Sequence, residues 1–308
     1  MNVNWPFFLT VVTMLSLSCA SEADKKGRFL LKGNNEMAEG NTKGAISYYD
    51  EALAIDPFFK EAYYNRGLAK HGQLRYAEAI ADFDKAIELD ETYRDAQLQR
   101  VIAYLDFGEN YKALESSNAL VAQNKADAQA HFVSGLSLTA LKRYQEAKQA
   151  FEQARVLNPE NVELYINLAT VNYHLGEWDK ATEDLTRAEG LDPGHSMIYN
   201  LQSLIHFEQG AYQKALDSVE EAISLEKDQA FYYNNRGLYR LYLGDLEEGL
   251  KDINFSLKQN SRNLYALRNK GIYYYKKGEM KLAERFLGEV SEKDPSMPLV
   301  EEYLPSGE

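Results

Sequence analysis

The 308-residue sequence contains one cysteine, few prolines and only one long apolar stretch. A single cysteine cannot form an intramolecular disulfide, so no disulfide framework stabilises the fold. Acidic residues outnumber basic ones by 47 to 34, and the resulting net charge of −13 argues against a nucleic-acid binder. The apolar stretch lies at the N-terminus, which excludes a polytopic membrane protein. Apolar residues nevertheless make up 45% of the chain, enough to bury a large core.

The N-terminal apolar segment, residues 7–17, is too short to span a bilayer and fits a secretory signal peptide. The stretch Leu15–Cys19 resembles the lipoprotein box of bacteria, in which the cysteine becomes the lipidated N-terminus. We expect residues 1–18 to be a lipoprotein signal peptide, Cys19 to carry the lipid, and residues 19–25 to form a short linker. The alternative is ordinary signal cleavage of residues 1–20, which yields a secreted or periplasmic soluble protein.

A motif of 34 residues recurs eight times without insertion or deletion. One alanine of the motif marks the frame, with glycine replacing it once at Gly249: Ala45, Ala79, Ala113, Ala147, Ala181, Ala215 and Ala283. The windows are 26–59, 60–93, 94–127, 128–161, 162–195, 196–229, 230–263 and 264–297. Such a period indicates stacked copies of one small helical unit.

Each window predicts two helices; in the fourth, these are Ala130–Leu141 and Tyr144–Leu157. A glycine often marks the turn between them, and we expect it to adopt positive φ: Gly40, Gly108, Gly176, Gly210, Gly244 and Gly278. Asp-Pro or Asn-Pro pairs between windows, as at Asp56, suit an N-cap of the next helix. The eighth residue is small in seven of the eight windows, with Val101 the exception, and a bulky residue on the second helix would fill the space beside it, which predicts close helix packing.

This pattern resembles the tetratricopeptide repeat family, and the resemblance covers nearly the whole chain after the signal segment. It implies an all-α, right-handed superhelical solenoid of eight helix-turn-helix repeats over residues 26–297, whose first helices line a groove. Residues 298–308 are expected to form a short capping stub and tail. The third window departs most from the family pattern, with Gln97, Val101 and Ser117 at its packing positions.

The sequence offers no convergent set of reactive groups. None of the five histidines has a partner at metal-ligand spacing, and the glycines follow the repeat rather than forming a phosphate-binding loop. We therefore expect no catalysis, no metal and no cofactor.

The predicted groove carries amides at the sixth residue of five windows: Asn65, Gln99, Asn167, Asn235 and Asn269. The resemblance implies that such amides hydrogen-bond the backbone of an extended bound peptide. An alternative is that asparagine there only bridges helices. The basic clamp that some family members use for a terminal carboxylate does not transfer, because Leu30 and Asp95 stand where lysines are needed.

Aromatic and basic residues concentrate in the last two windows. Windows five and six carry 4 basic and 13 acidic residues, whereas windows seven and eight carry 12 basic and 9 acidic residues. We expect five of these side chains to contribute to the groove: Tyr242, Tyr265, Arg268, Tyr275 and Lys276. Tyrosine combines apolar area with a polar tip and is well suited to interfaces.

These observations predict a non-enzymatic protein–protein interaction scaffold of the bacterial cell envelope. It would be anchored by its N-terminal lipid alone, with the outer membrane favoured, and would bind other proteins rather than nucleic acid. The alternatives are a structural factor that self-associates end to end and a regulatory adaptor of an envelope enzyme.

Overall fold

The computed structural model describes residues 25–304, so the predicted signal peptide, Cys19 and the last four residues lie outside the described chain. Within that range the regular structure is helical, with no strand. The first helix, α1, covers residues 25–38. Sixteen helices follow: α2 Thr42–Ile55, α3 Lys60–Gly72, α4 Tyr76–Leu89, α5 Arg94–Phe107, α6 Asn110–Gln123, α7 Ala128–Ala140, α8 Tyr144–Leu157, α9 Val162–His174, α10 Trp178–Leu191, α11 Ser196–Glu208, α12 Tyr212–Leu225, α13 Ala230–Leu243, α14 Leu246–Gln259, α15 Leu264–Lys276, α16 Met280–Lys293 and α17 Val300–Tyr303. None of the helices in the described range is long and apolar enough to cross a membrane.

The described residues divide into two compact units, with unit 1 ending at Pro159 and unit 2 beginning at Glu160. In unit 1, α3 packs on α4 and α7 on α8, and each pair falls within one 34-residue window. In unit 2 the pairs are α9–α10, α11–α12, α13–α14 and α15–α16. The predicted all-α fold of helix-turn-helix repeats is therefore confirmed.

The turn inside each pair needs one residue in the left-handed region of backbone space. The six predicted glycines all adopt it, with φ between 72° and 90°. In the second and fourth repeats the same position holds Leu74 and Lys142, at φ of 61° and 58°. These two residues carry a side-chain penalty that glycine does not.

We expect Lys142→Gly to stabilise unit 1 by about 0.5–1 kcal/mol, because it relieves the left-handed penalty of a residue with a side chain. Urea unfolding of the variant and the parent protein measures the change. The reverse substitution, Gly176→Lys, should lower the stability of unit 2 by a similar amount. Equal unfolding midpoints for all three proteins would contradict this interpretation of the turn.

The Asp-Pro and Asn-Pro pairs do not act as predicted. Asp56 is the C-cap of α2 rather than the N-cap of α3, and its carboxylate accepts a hydrogen bond from the Phe58 backbone N–H at 2.9 Å. Asp192 and Asp294 do the same for Gly194 and Ser296. A short acidic side chain that bonds the backbone two residues on stabilises a turn, so these pairs close one repeat instead of opening the next.

Close approach of the paired helices depends on the small eighth residue. A Cβ added to Gly67 would lie 2.6 Å from the Phe83 ring, and one added to Gly135 would lie 2.5 Å from the Phe151 ring. The predicted pairing of small and bulky residues is thus confirmed. In the third repeat the sizes are exchanged, since Val101 and Ser117 occupy the two positions and both are fully buried.

Residues after α16 turn back onto the last repeat. Leu299 adopts φ of 65°, and α17 then packs against α15 and α16. Val300 and Tyr303 join the core cluster that contains Leu287 and Val290. We call residues 298–304 the stub; it covers apolar surface that the final helix pair would otherwise expose.

Candidate functional site

A groove of about 760 Å³ lies in unit 2. Its walls come from the first helices of the last four repeats, α9, α11, α13 and α15, and from Pro298 and Leu299 of the stub. A cavity of this size is within the range of about 300–1,000 Å³ that is typical of ligand-binding sites.

The floor of the groove follows the fifth residue of each repeat. The series reads Ile166, Asn200, Asn234 and Arg268, and all four residues line the groove. The equivalent positions of unit 1 are apolar or aromatic: Leu30, Tyr64, Leu98 and Phe132. Polar character at the floor is therefore specific to the last three repeats.

The floor amides bond one another from repeat to repeat. Asn235 donates from Nδ2 to Asn200 Oδ1 at 3.0 Å, and Asn269 donates from Nδ2 to Asn234 Oδ1 at 2.9 Å. The Nδ2 group of Asn234 makes no hydrogen bond to any part of the chain that the structure describes. The Asn234 amide donor thus remains available on the floor for a ligand, and Asn269 fixes this side chain in place by bonding its Oδ1.

Arg268 is the most buried charged group of the groove, with only 5% of its surface exposed. Its Nε and Nη2 donate to Asn269 Oδ1 at 3.0 and 2.8 Å, and Nη1 donates to the Pro298 carbonyl at 3.3 Å. The ring of Tyr265 stands 5.3 Å from the guanidinium carbon. Burial lowers the pKa of Arg268 below the usual arginine value, because removing the cation from water disfavours its charged form.

The acidic groups of the groove already have partners. Glu163 lies 3.0 Å from His195 Nε2, and the Glu208 carboxylate accepts a hydrogen bond from the Tyr173 hydroxyl at 3.0 Å. His195 Nδ1 is buried without a hydrogen-bond partner within residues 25–304. The groove therefore presents the guanidinium of Arg268 and several amides to a ligand, while its carboxylates are bound to His195 and Tyr173.

Of the residues predicted from the sequence, four line this groove: Asn167, Asn235, Tyr265 and Arg268. Asn167 donates to the Glu163 carbonyl within its own helix at 2.7 Å, and Tyr265 is 54% exposed. Asn65 and Gln99 lie in unit 1, where Asn65 donates to Asn34 Oδ1 at 2.9 Å. These two residues do not belong to the groove of unit 2.

Asn269 is fully buried beneath the floor, with its amide engaged by Asn234 and its carbonyl oxygen by Arg268. A side chain with no exposed surface cannot bond a ligand's backbone. The expectation that Asn269 contacts a bound peptide directly is therefore wrong. Asn269 holds Arg268 in place instead.

Tyr242 and Tyr275 were expected to contact a ligand, but their side chains contact Tyr303 of the stub instead. The Tyr303 hydroxyl of the stub donates to the Tyr242 hydroxyl at 3.0 Å, and the Tyr303 ring lies 5.2 Å from that of Tyr275. Lys276 places its ammonium 4.6 Å from the Tyr242 ring. These three predicted groove residues thus anchor the stub, because its aromatic residue covers them.

Two residues of the fifth-residue series, Asn200 and Asn234, were not among the site residues predicted from the sequence. The signal was present, since the same position changes from apolar in the first five repeats to polar in the last three. Glu208, Tyr173 and His195 also line the groove, but their positions are not distinguished by the repeat pattern. Within residues 25–304, no group of three or more histidine, cysteine, aspartate or glutamate side chains is arranged to hold a metal ion.

Comparison with known families identifies repeats of one type along most of the chain. Profiles described as tetratricopeptide repeat or TPR repeat match residues 33–73, 61–93, 98–161, 138–205 and 234–298. The human DnaJ homolog subfamily C member 7 is 40% identical over 78 residues, which are 24% of this chain. The mitochondrial import receptor subunit TOM70 of Rattus norvegicus is 24% identical over 163 residues, or 50% of this chain. The matches span only 16% and 26% of the length of these two relatives.

Solved structures share the fold over a larger part of the chain. A tetratricopeptide repeat protein from Parabacteroides merdae matches with a TM-score of 0.69 at 18% identity, covering 81% of this chain and 99% of that one. The APC/C hetero-tetramer Cut9–Hcn1 matches with a TM-score of 0.70 at 17% identity, covering 90% of this chain and 54% of that one. At such identities the likeness concerns the fold alone.

Proposed function

Because the chain belongs to the tetratricopeptide repeat family, whose members are generally scaffolds for protein–protein interaction, we propose that it binds an extended segment of a partner protein in the groove of unit 2. The observation that carries this proposal is the row of mutually bonded amides along the groove, in which Asn234 keeps an amide donor that has no partner in the described chain. Amides offer a donor and an acceptor to peptide groups, so the floor suits a polypeptide backbone.

The binding energy must come mainly from apolar burial. One neutral hydrogen bond contributes about 0.5–1.5 kcal/mol net, whereas micromolar affinity needs about 8 kcal/mol. Leu204, Phe207, Phe231 and Tyr265 supply the apolar and aromatic wall of the groove. We therefore assign affinity to this wall and the register of the bound segment to the amides.

The wider role follows from the family and from the N-terminal sequence. We propose a non-enzymatic scaffold of the bacterial cell envelope, and the similarity to an import receptor subunit supports a protein as its ligand. The stub covers the apolar end of the last repeat, which favours this role over end-to-end self-association. The regulatory adaptor is a special case of the same binding activity.

We propose that Cys19 carries the lipid that holds the protein at the membrane, because the Leu15–Cys19 stretch resembles a lipoprotein box. Each buried methylene contributes about 0.8 kcal/mol, so two or more acyl chains give stable attachment. We expect Cys19→Ala to move the protein from the membrane fraction to the soluble fraction of fractionated bacterial cells. A variant that stays with the membrane would contradict lipid anchoring.

Loss of the Tyr265 ring tests the groove itself. We expect Tyr265→Ala to weaken capture of partner proteins by about thirtyfold or more, since a hot-spot aromatic typically contributes about 2 kcal/mol or more. Quantitative pull-downs after crosslinking in intact cells give the measurement. Glu183→Lys on α10 is the control, because Glu183 is exposed on a second helix outside the groove. If Glu183→Lys loses partners as severely as Tyr265→Ala, the binding surface lies elsewhere.

A further inference from the structure

Arg268 is buried, and it differs from the partly buried arginines of unit 2, Arg236 and Arg240, in its lack of an acidic partner. Arg236 donates from Nε and Nη2 to Asp252 at 2.8 and 2.7 Å, and Arg240 donates from Nη1 to the same carboxylate at 2.7 Å. Within residues 25–304, no carboxylate lies within ion-pair distance of Arg268. Buried charges are usually paired, so this exception requires an explanation.

The neutral partners of Arg268 leave part of its hydrogen-bonding capacity unused. A guanidinium carries five N–H donors. Asn269 accepts from Nε and Nη2 and the Pro298 carbonyl accepts from Nη1, so one N–H on each terminal nitrogen has no partner in the described chain. Two donors on adjacent nitrogens match the two oxygens of a carboxylate.

We propose that Arg268 binds the carboxylate of an aspartate or glutamate side chain within the extended partner segment, an inference that rests on the proposed function of the groove. The carboxylate of the partner forms the ion pair with Arg268 that no acidic residue of the described chain forms. Glu163 lies beside His195. Glu208 accepts a hydrogen bond from Tyr173 and acts on Arg268 through its charge from beyond ion-pair distance, so neither carboxylate bonds the guanidinium. The bound segment is thus selected for an acidic residue at one position.

The depth of Arg268 favours a side chain over the terminal carboxylate of a partner. With 5% of its surface exposed, the arginine lies below the wall formed by Tyr265, which is 54% exposed. An acidic side chain reaches Arg268 from a backbone that stays at the level of Tyr265 and Asn235, both of which are more exposed than the arginine. A terminal carboxylate is attached directly to the backbone and would draw the chain end into the floor.

The experiment uses a library of random peptides with acetylated N-termini and amidated C-termini, selected for binding to the purified full chain. We expect the selected peptides to share an aspartate or glutamate at one position. Replacing that residue with asparagine or glutamine should weaken binding to the parent protein by about ten- to hundredfold, which corresponds to the about 1.5–3 kcal/mol that hydrogen bonds to charged groups contribute. The same replacement should change binding to Arg268→Gln by less than about twofold, because this variant lacks the guanidinium that binds the acidic side chain.

Arg268→Lys serves as a second variant if Arg268→Gln does not fold. Lysine keeps the charge but lacks the planar fork, so the preference for the acidic residue should be reduced rather than lost. An acidic preference that is equal in the parent protein and in either folded variant would overturn the inference. So would selected peptides without a shared acidic residue. A second library with free C-termini gives the remaining test: Arg268-dependent binding of peptides whose only carboxylate is the C-terminal one would also overturn the inference.

Failure of the proposed function has a different signature. Peptides that bind outside the groove would lose no affinity with Tyr265→Ala or with any Arg268 variant. Peptides that lose affinity with Tyr265→Ala but show no acidic preference would retain the groove and reject only the role of Arg268.

Discussion

Replacing Phe151 with serine is expected to destabilise unit 1 by about 3–5 kcal/mol, the usual cost of removing a large buried ring. Phe151 is fully buried, and its ring fills the space above Gly135. Adding bulk at Gly135 alone should also destabilise, because a Cβ there would lie 2.5 Å from the ring. Each single variant therefore leaves either a cavity or an overlap.

The double variant should be less damaging than the sum of its parts. Gly135→Val with Phe151→Ser reproduces the Val101 and Ser117 pair that the third repeat already contains at these positions. We expect a favourable coupling of about 1–3 kcal/mol between the two substitutions, because valine refills space that the ring vacates. Urea unfolding of the four proteins of the cycle measures it. If the free-energy changes of the two single variants simply add in the double variant, the side chains at positions 135 and 151 do not compete for the same space.

Removal of the Tyr303 ring should be the second large effect. Tyr303 is 8% exposed, contacts the rings of Tyr242 and Tyr275, and donates its hydroxyl hydrogen to Tyr242. We expect Tyr303→Ala to cost unit 2 about 3 kcal/mol and to release the stub, with faster amide hydrogen exchange in α17 and the adjoining end of α15. Tyr303→Phe should cost only about 1 kcal/mol, because it removes one hydrogen bond and keeps the ring.

Glu301→Ala is the matched control, since Glu301 lies in the same short helix and is exposed. Release of the stub should also uncover apolar surface and raise the apparent mass in light scattering coupled to size exclusion. If Tyr303→Ala unfolds at the same urea concentration as Glu301→Ala and remains monomeric, the stub is not a structural cap.

Much of the fold could be predicted from the period alone. The second helix of the fourth repeat was predicted as Tyr144–Leu157 and has those bounds. Its first helix begins two residues earlier than predicted, at Ala128, because Asp127 accepts hydrogen bonds from the Gln129 and Ala130 backbone. Repetition fixes the frame of a helix, whereas single capping contacts fix its ends.

The site was less predictable, because it depends on contacts that the repeat does not encode. The sequence placed Tyr265 and Arg268 on the first helix of the last repeat, and both line the groove. It could not show that Tyr303 covers Tyr242 and Tyr275, since the stub has no counterpart in earlier repeats. It also could not separate Asn235 on the groove surface from Asn269 beneath it, because both are sixth residues of their windows.

The central claim is that partners bind in the groove of unit 2. A photoreactive phenylalanine analogue placed at Tyr265 in cells, followed by mass spectrometry of the crosslinked products, tests it most directly. The same analogue at the exposed position Glu183 on α10 controls for surface proximity. We predict that position 265 crosslinks to one contiguous peptide of a partner protein that contains an aspartate or glutamate, and that position 183 does not. Equal crosslinking at the two positions, or crosslinks at 183 alone, would contradict the claim.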